Sequence, residues 1–250
     1  MPFRLPRFRT LIKITLTALF GTTLVIGITA ALTAWESGRP RTLPQPSGRY
    51  EIGRRFFAWR DEARLEPLSP VRNAKRELAA FIWYPASKVS MGTRAPYMPD
   101  EWIAAIPQEW SAQRLDRVHG HALEDAEFAA ENTASPLVIF SPGSGQLPTS
   151  YTALAEELAS YGYVVVALAH PFSTPIVHFP DGRTVTAAES LYHGGLGEYL
   201  TSIWGADLVS TLNFLHEKQQ AGDTFFAHFA SQQVGVLGHS FGGAAAVEAC

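Results

Sequence analysis

The spacing of apolar and polar positions divides the chain into three stretches of different character. Residues 14–35, ITLTALFGTTLVIGITAALTAW, carry no charge and only scattered Thr. A helix here has no polar face. At about 1.5 Å per residue it is about 33 Å long, enough to cross a hydrocarbon core of about 30 Å. Residues 36–48 are rich in Pro, Gly and Ser and read as a linker. Beyond them, β-type residues cluster near Phe56–Trp59, and RELAAFIWYPAS predicts a strand through Leu78–Tyr84 stopped by Pro85. Residues 86–135 carry few periodic signals. PDEWIAAIPQEW is compatible with a short helix ended by Pro107.

From residue 136 the pattern becomes regular. Residues 137–141 are a continuous apolar run, as expected of a strand buried on both faces. YTALAEELASYG predicts a helix with Leu154, Leu158 and Tyr161 inward, Glu156 and Glu157 outward, and Gly162 as its stop. YVVVALA (163–169) is a second buried strand, and PIVHFPDGRTVTA predicts a hairpin around Pro180-Asp181-Gly182. Residues 198–218 place Leu200, Ile203, Trp204, Leu208, Leu212 and Leu215 in one helical stripe. QQVGVLG (232–238) is a third buried strand, and FGGAAAVEA opens a helix. Strands alternating with helices predict an α/β fold, a mostly parallel sheet with crossover helices.

Composition narrows the function classes. A chain of 250 residues that is 46% hydrophobic and 17% charged can bury a sizeable core. The net charge of −3 comes without a basic stripe, so nucleic acid is not an expected partner. Cys250 is the only cysteine, which excludes an intrachain disulfide and a thiolate metal site within this sequence. His119-Gly-His121 offers two imidazoles without a further ligand cluster, and we read it as a solvated loop; no metal is expected. Arg4, Arg7, Arg9 and Lys13 precede the apolar run. A cleaved signal has the same order of features, but its apolar region is usually about 7–15 residues, which favours an uncleaved anchor. Ala30, Ala31 and Ala34 offer a cleavage site to the rival reading. In both cases the basic flank stays cytoplasmic and the remainder is exported, periplasmic or extracellular.

The chemistry concentrates in Gly238-His239-Ser240-Phe241-Gly242, a G-x-S-x-G pattern. The bare pattern is weak, but here an apolar strand runs into the serine and a helix starts after it. That sharp turn lifts Oγ out of the sheet, and it needs small flanking residues, supplied by Gly242, Gly243, Ala244, Ala245 and Ala246. Acyl transfer builds negative charge on a carbonyl oxygen, stabilised by two backbone N–H groups. Phe241 would supply one. Ser144, in the turn Pro142-Gly143-Ser144-Gly145, would supply the other.

FIWYPA, VIFSPGSG, ELASYGYVVVALAHP, FPDG and GVLGHSFGGA, in that order, resemble the platelet-activating factor acetylhydrolase family. These are α/β-hydrolases related to dienelactone hydrolases and to bacterial secreted esterases. The resemblance runs from about residue 50 to residue 250. It implies Ser240 as nucleophile, the N–H groups of Phe241 and Ser144 as oxyanion hole, and no cofactor. It further implies hydrolysis of phospholipids with short or oxidised acyl chains, of the 1-alkyl-2-acetylglycerophosphocholine type. A general esterase, polyester or dienelactone-type hydrolase is the alternative, and a non-catalytic binding protein on the same fold is a third. Pro142 stands where the family often has His.

In this family the acid and base follow the nucleophile in sequence, and no histidine follows Ser240. The expectation is therefore an α/β-hydrolase domain truncated at its C-terminus, lacking the catalytic Asp and His and inactive alone. Its organisation would be a basic flank and transmembrane signal-anchor over 1–35, a linker over 36–48 and a hydrolase portion over 49–250. His170, at a strand end on the edge that carries Ser240, lies outside the family's triad. His239 points away from the site, and Asp207 on the inward helical stripe is expected to partner an arginine or a cap.

Overall fold

A computed structural model describes residues 8–88, 92–106, 113–131, 134–188 and 197–250. Helix α1 (Phe8–Ser37) contains a stretch, Thr15–Ser37, long and apolar enough to cross a membrane. Such a helix near the N-terminus fits a signal sequence equally well. Arg4 and Arg7 lie outside the described residues. Leu16, Leu19, Phe20, Val25 and Ile26 stand exposed. The hydroxyls of Thr22, Thr23 and Thr29 donate to the carbonyls of Ala18, Leu19 and Val25, 2.8–2.9 Å away.

The elements that follow are β1 (Arg41–Thr42), β2 (Glu51–Leu65), β3 (Lys75–Ala86), β4 (Arg94–Pro96), α2 (Asp100–Ala105), β5 (Val118–Glu124) and β6 (Ser135–Ser141). Then come α3 (Thr152–Ser160), β7 (Val164–Ala169), β8 (Ile176–His178), β9 (Thr184–Thr186), α4 (Gly197–Gln220), β10 (Phe229–Gly238) and α5 (Phe241–Glu248). The main sheet has the order β1-β5-β2-β3-β7-β6-β10, with β4 on β5. β3 and β4 run antiparallel to their neighbours, and the other pairings are parallel. β8 and β9 form the expected hairpin, with Gly182 at φ 87° in its turn.

From β6 the chain crosses to β7 on one side, then returns past β6 to β10 on the other. Right-handed crossovers in opposite directions must use opposite faces of a sheet. Accordingly α3 packs with Phe81, Trp83, Val138, Phe140 and Val165 on one face. α4 and α5 pack with Ile82, Leu137, Ile139, Val166 and Leu168 on the other. The reversal makes the carboxyl ends of β6 and β10 a topological switch point, the usual place for a ligand crevice in such sheets.

Several expectations are corrected here. The expected C-terminally truncated domain gives way to an eight-stranded mixed sheet with crossover helices on both faces. On α3, Glu156 is buried, not outward, because its carboxylate accepts the backbone N–H groups of His121 and Ala122. The inward positions are Thr152, Ala155, Glu156, Ala159 and Ser160, while Leu154 and Tyr161 are exposed. Pro85 does not stop β3. It lies past Trp83, the last residue paired with β7, where the ladder continues only toward β2. β10 is an edge strand of the described sheet, with Gln232, Gln233, Gly235 and Leu237 exposed, so it is not buried on both faces. α2 ends before Ile106, whose ψ of 149° is the extended conformation favoured ahead of a proline. Pro107 itself lies outside the described residues.

Candidate active site

Ser240 sits between β10 and α5 with φ 51° and ψ −117°. A non-glycine residue reaches that region only against steric strain, and the surroundings must hold it there. Two glycines provide the hold. A Cβ on Gly238 would lie 2.1 Å from the Gly242 carbonyl oxygen, and one on Gly242 would lie 2.2 Å from the Ser141 carbonyl oxygen. The strand, the helix and the end of β6 therefore meet backbone to backbone. His239 N–H donates to the Ser141 carbonyl at 3.1 Å, tying the turn to the neighbouring strand. Ser240 is exposed, and its carbonyl accepts the N–H groups of Gly243 and Ala244 as α5 begins. The Phe241 N–H is among the first-turn amides that a helix leaves without an internal acceptor.

The loop after β6 leaves the sheet beside this turn, since Gly238 pairs with Ser141. Gln146 N–H donates to the Gly143 carbonyl at 3.0 Å, and Gly145 has φ 73°. This is a type II turn with Ser144 exposed at its tip. Gly143 N–H donates to the Tyr151 hydroxyl at 3.0 Å, and His239 Nδ1 lies 2.9 Å from the same oxygen. His239 is thus turned toward Tyr151.

Behind the crevice, on the α4 face, a second serine belongs to a buried polar array. Ser141 Oγ is 2.9 Å from His170 Nε2, and His170 Nδ1 is 2.8 Å from Asp207 Oδ2. Asp207 also accepts from Arg76 Nε at 3.0 Å and from Arg64 Nη1 at 2.8 Å. Arg76 reaches Glu66 and the Pro171 carbonyl in turn. Ser141, His170, Asp207 and Arg76 are all 0% exposed. The His170 ring stacks on Trp204 with centroids 4.0 Å apart, and Trp204 meets Phe241 edge-on. Burial lowers the His170 pKa, outweighing the pull of Asp207. Burial opposes ionisation of Asp207, but Arg76 and His170 outweigh it and hold the carboxyl well below the usual range. The array therefore contains a carboxylate and a neutral imidazole. Nδ1–H donates to Asp207, which leaves Nε2 to accept from the Ser141 hydroxyl.

This array corrects the expectation of a serine hydrolase fragment lacking Asp and His. The described residues already join a serine, a histidine and an aspartate by hydrogen bonds. The arginine partnership expected for Asp207 is present. His170 lies at the predicted strand end, but both of its nitrogens are engaged with Ser141 and Asp207. His121 Nε2 lies 3.0 Å from the Leu43 carbonyl oxygen, and no group of three metal-ligating side chains occurs among the described residues. Sequence reading missed Ser141 and Tyr151, and placed Glu156 on the wrong face. A short polar residue ending an apolar strand, and an aromatic three residues beyond a proline, are not distinctive in one dimension.

A family model described as platelet-activating factor acetylhydrolase, isoform II, matches residues 39–178. A protein of Arthroderma benhamiae described as a probable 1-alkyl-2-acetylglycerophosphocholine esterase is 32% identical over 116 residues, covering 46% of this chain and 27% of that one. A solved structure, the ferulic acid esterase from Streptomyces cinnamoneus, superposes with a TM-score of 0.71 at 31% identity, covering 84% of this chain and 58% of that one. The chain thus spans less than two thirds of either relative. With the family model matched over more than half its length, and with the sheet and strand–serine–helix turn described above, this chain belongs to the platelet-activating factor acetylhydrolase isoform II family of α/β-hydrolase-like proteins.

Proposed function

We propose that this chain is a serine ester hydrolase acting on carboxylic esters, with Ser240 as nucleophile. The observation that carries this reading is the backbone of Ser240, φ 51° and ψ −117°, held exposed between two glycines whose Cα atoms touch neighbouring backbone. Strain kept at one exposed serine fits a group that must be presented to a substrate. Ser240 Oγ adds to the ester carbonyl as its proton passes to a general base, a role that His170, bound to Ser141 and Asp207, and His239, turned to Tyr151, do not fill in this arrangement. The N–H groups of Phe241 and Ser144 bind the developing oxyanion, the alcohol leaves, and water releases the acyl group. No cofactor takes part.

In this reading residues 1–35 form a basic flank and membrane anchor, 36–48 a connecting segment and 49–250 the hydrolase portion. The threonine hydroxyls of α1 that bond back to carbonyls one turn earlier support the anchor, because they leave those side chains without unmet polar groups in hydrocarbon. An anchored, exported hydrolase is placed for a lipid ester, the substrate class suggested by the esterase relative. Carbonate-washed membranes should retain the protein. A soluble form beginning near Trp35 would show a cleaved signal instead.

A second reading makes Ser141 the nucleophile, favoured by its hydrogen bond to His170 and by Asp207 behind it. Burial of all three groups argues against it, since an ester must touch the attacking oxygen. A fluorophosphonate probe with peptide mapping tests both. Label at Ser240, abolished by Ser240→Ala, supports the first reading. Label at Ser141 replaces it with the second.

A further inference from the structure

Resting on Ser240 as nucleophile, we propose that Tyr151 is a positioning residue whose hydroxyl couples the turn carrying Ser144 to the turn carrying Ser240. The two turns come from different strands, and the sequence gives them no covalent relation closer than the long connection between β6 and β10. Their N–H groups must nevertheless converge on one oxygen atom within a few tenths of an ångström to act as an oxyanion hole.

The Tyr151 oxygen stands between them. It accepts the Gly143 N–H at 3.0 Å and lies 2.9 Å from Nδ1 of His239, the residue next to the nucleophile. A phenol has one donor and two acceptor sites, so one oxygen can serve both partners. The approach is close enough that a Cβ on Gly143 would fall 2.7 Å from His239 Nδ1 and 3.3 Å from the Tyr151 oxygen. The ring is fixed from behind by Phe140 of β6, with centroids 4.6 Å apart. Tyr151 also directly precedes α3, so its backbone is anchored by that helix as well as by the contact with Phe140. A phenylalanine would keep that packing and remove only the bridging oxygen.

The consequence is specific. The Gly143 N–H lies in the Pro142–Gly143 peptide, one before the peptide that carries the Ser144 N–H, and His239 stands two residues before Phe241. Losing the bridge leaves each turn held only by its own backbone bonds, Gln146 N–H to Gly143 and His239 N–H to Ser141, and loosens the position of the two donors relative to each other while leaving the serine and the substrate surface in place. The defect should appear in the bond-forming step and not in initial binding.

The test compares the chain of residues 1–250 with its Tyr151→Phe variant in detergent, using an alkyl fluorophosphonate and amide hydrogen exchange. Expected for Tyr151→Phe are an unchanged thermal transition, a maximal labelling rate at Ser240 lower by about tenfold or more, and a half-saturating probe concentration unchanged within about twofold. Gly143 amide exchange should rise about tenfold or more as its acceptor is lost. A Tyr151→Phe/His239→Gln double variant should label no more slowly than the slower single variant, because both changes break one bridge. Wild-type labelling rate in Tyr151→Phe, or unchanged Gly143 exchange, overturns the proposal. Persistent labelling in Ser240→Ala overturns the choice of nucleophile instead, while the exchange measurement still decides whether the bridge exists.

Discussion

Two serines lie at the carboxyl ends of adjacent strands, and their surroundings are opposite in kind. Ser240 is exposed and held in a disfavoured backbone conformation by steric contact between glycines. Ser141 is buried, unstrained by any left-handed φ, and bonded to a histidine whose carboxylate partner is gripped by two arginines. The turn at Ser240 carries backbone strain, whereas the array around Ser141 links β3, β6, the end of β7 and α4. On the proposed assignment of Ser240 as nucleophile, the hydrogen-bonded serine–histidine–aspartate line braces the strand ends and the exposed serine reacts; on the second reading the roles are exchanged.

The comparison breaks most readily at Asp207. Replacing it with Ala leaves the Arg76 guanidinium, 0% exposed, with Glu66 and a carbonyl as remaining partners. The expected loss is about 3–5 kcal/mol in chemical denaturation. An effect under about 1 kcal/mol would show that the array carries little of the fold.

Gly242→Ala tests the other serine. Its methyl group meets the Ser141 and Pro142 carbonyl oxygens at 2.2 and 2.3 Å, so backbone must move. We expect about 1–3 kcal/mol of destabilisation and a loss of fluorophosphonate labelling greater than that stability change accounts for. Labelling at the wild-type rate would separate reactivity from the turn geometry.

Acid sharpens the contrast. His170 has a lowered pKa in the folded chain, so as pH falls below about 6.5 the unfolded chain takes up this proton first and stability declines. The Asp207 carboxyl, also lowered, adds a second loss as pH falls below about 4. The His170 contribution to the slope is at most about 1.4 kcal/mol per pH unit, and His170→Gln should flatten the profile between pH 6.5 and 5. An unaltered slope in that variant would place the titrating group elsewhere.

The smallest effect is expected at Arg183, which pairs with Glu77 and Asp181 while half exposed. Arg183→Ala should cost under about 1 kcal/mol by thermal or chemical denaturation. A larger loss would mean that these surface pairs act as a network comparable to the buried one.

The layered α/β architecture was legible in the sequence because its signals are local. YVVVALA can only be a buried strand, and the stripe through Trp204, Leu208 and Leu215 is a helical period read directly. The strand–serine–helix turn at Ser240 was legible for the same reason, since strand, small residues and helix are contiguous. What was not legible depends on pairing across the chain. Glu156 reads as solvent-facing until β5 brings two N–H groups to it. The inward face of α3 shifted accordingly, from Leu154 and Tyr161 to Ala155 and Ala159. Ser141, His170 and Asp207 were three unremarkable positions whose relation exists only after β6, β7 and α4 are assembled.

The separation in sequence between paired strands also sets an order of events. β2 and β3 close through a short reversal, with Asp61 opposite Arg76, whereas Gly238 finds Ser141 from about a hundred residues away. Chain-closure entropy favours the first contact and delays the second. The Ser240 turn exists only once β10 has docked, so it forms late. As a strand at the edge of the described sheet, β10 is paired on one side only, to β6, so we expect it to open before strands paired on both sides. Mild heating or low denaturant should therefore silence the reactive serine while the β2–β3 ribbon and its tryptophan-rich core still give a native spectrum, making inactivation a separate and earlier transition than global melting.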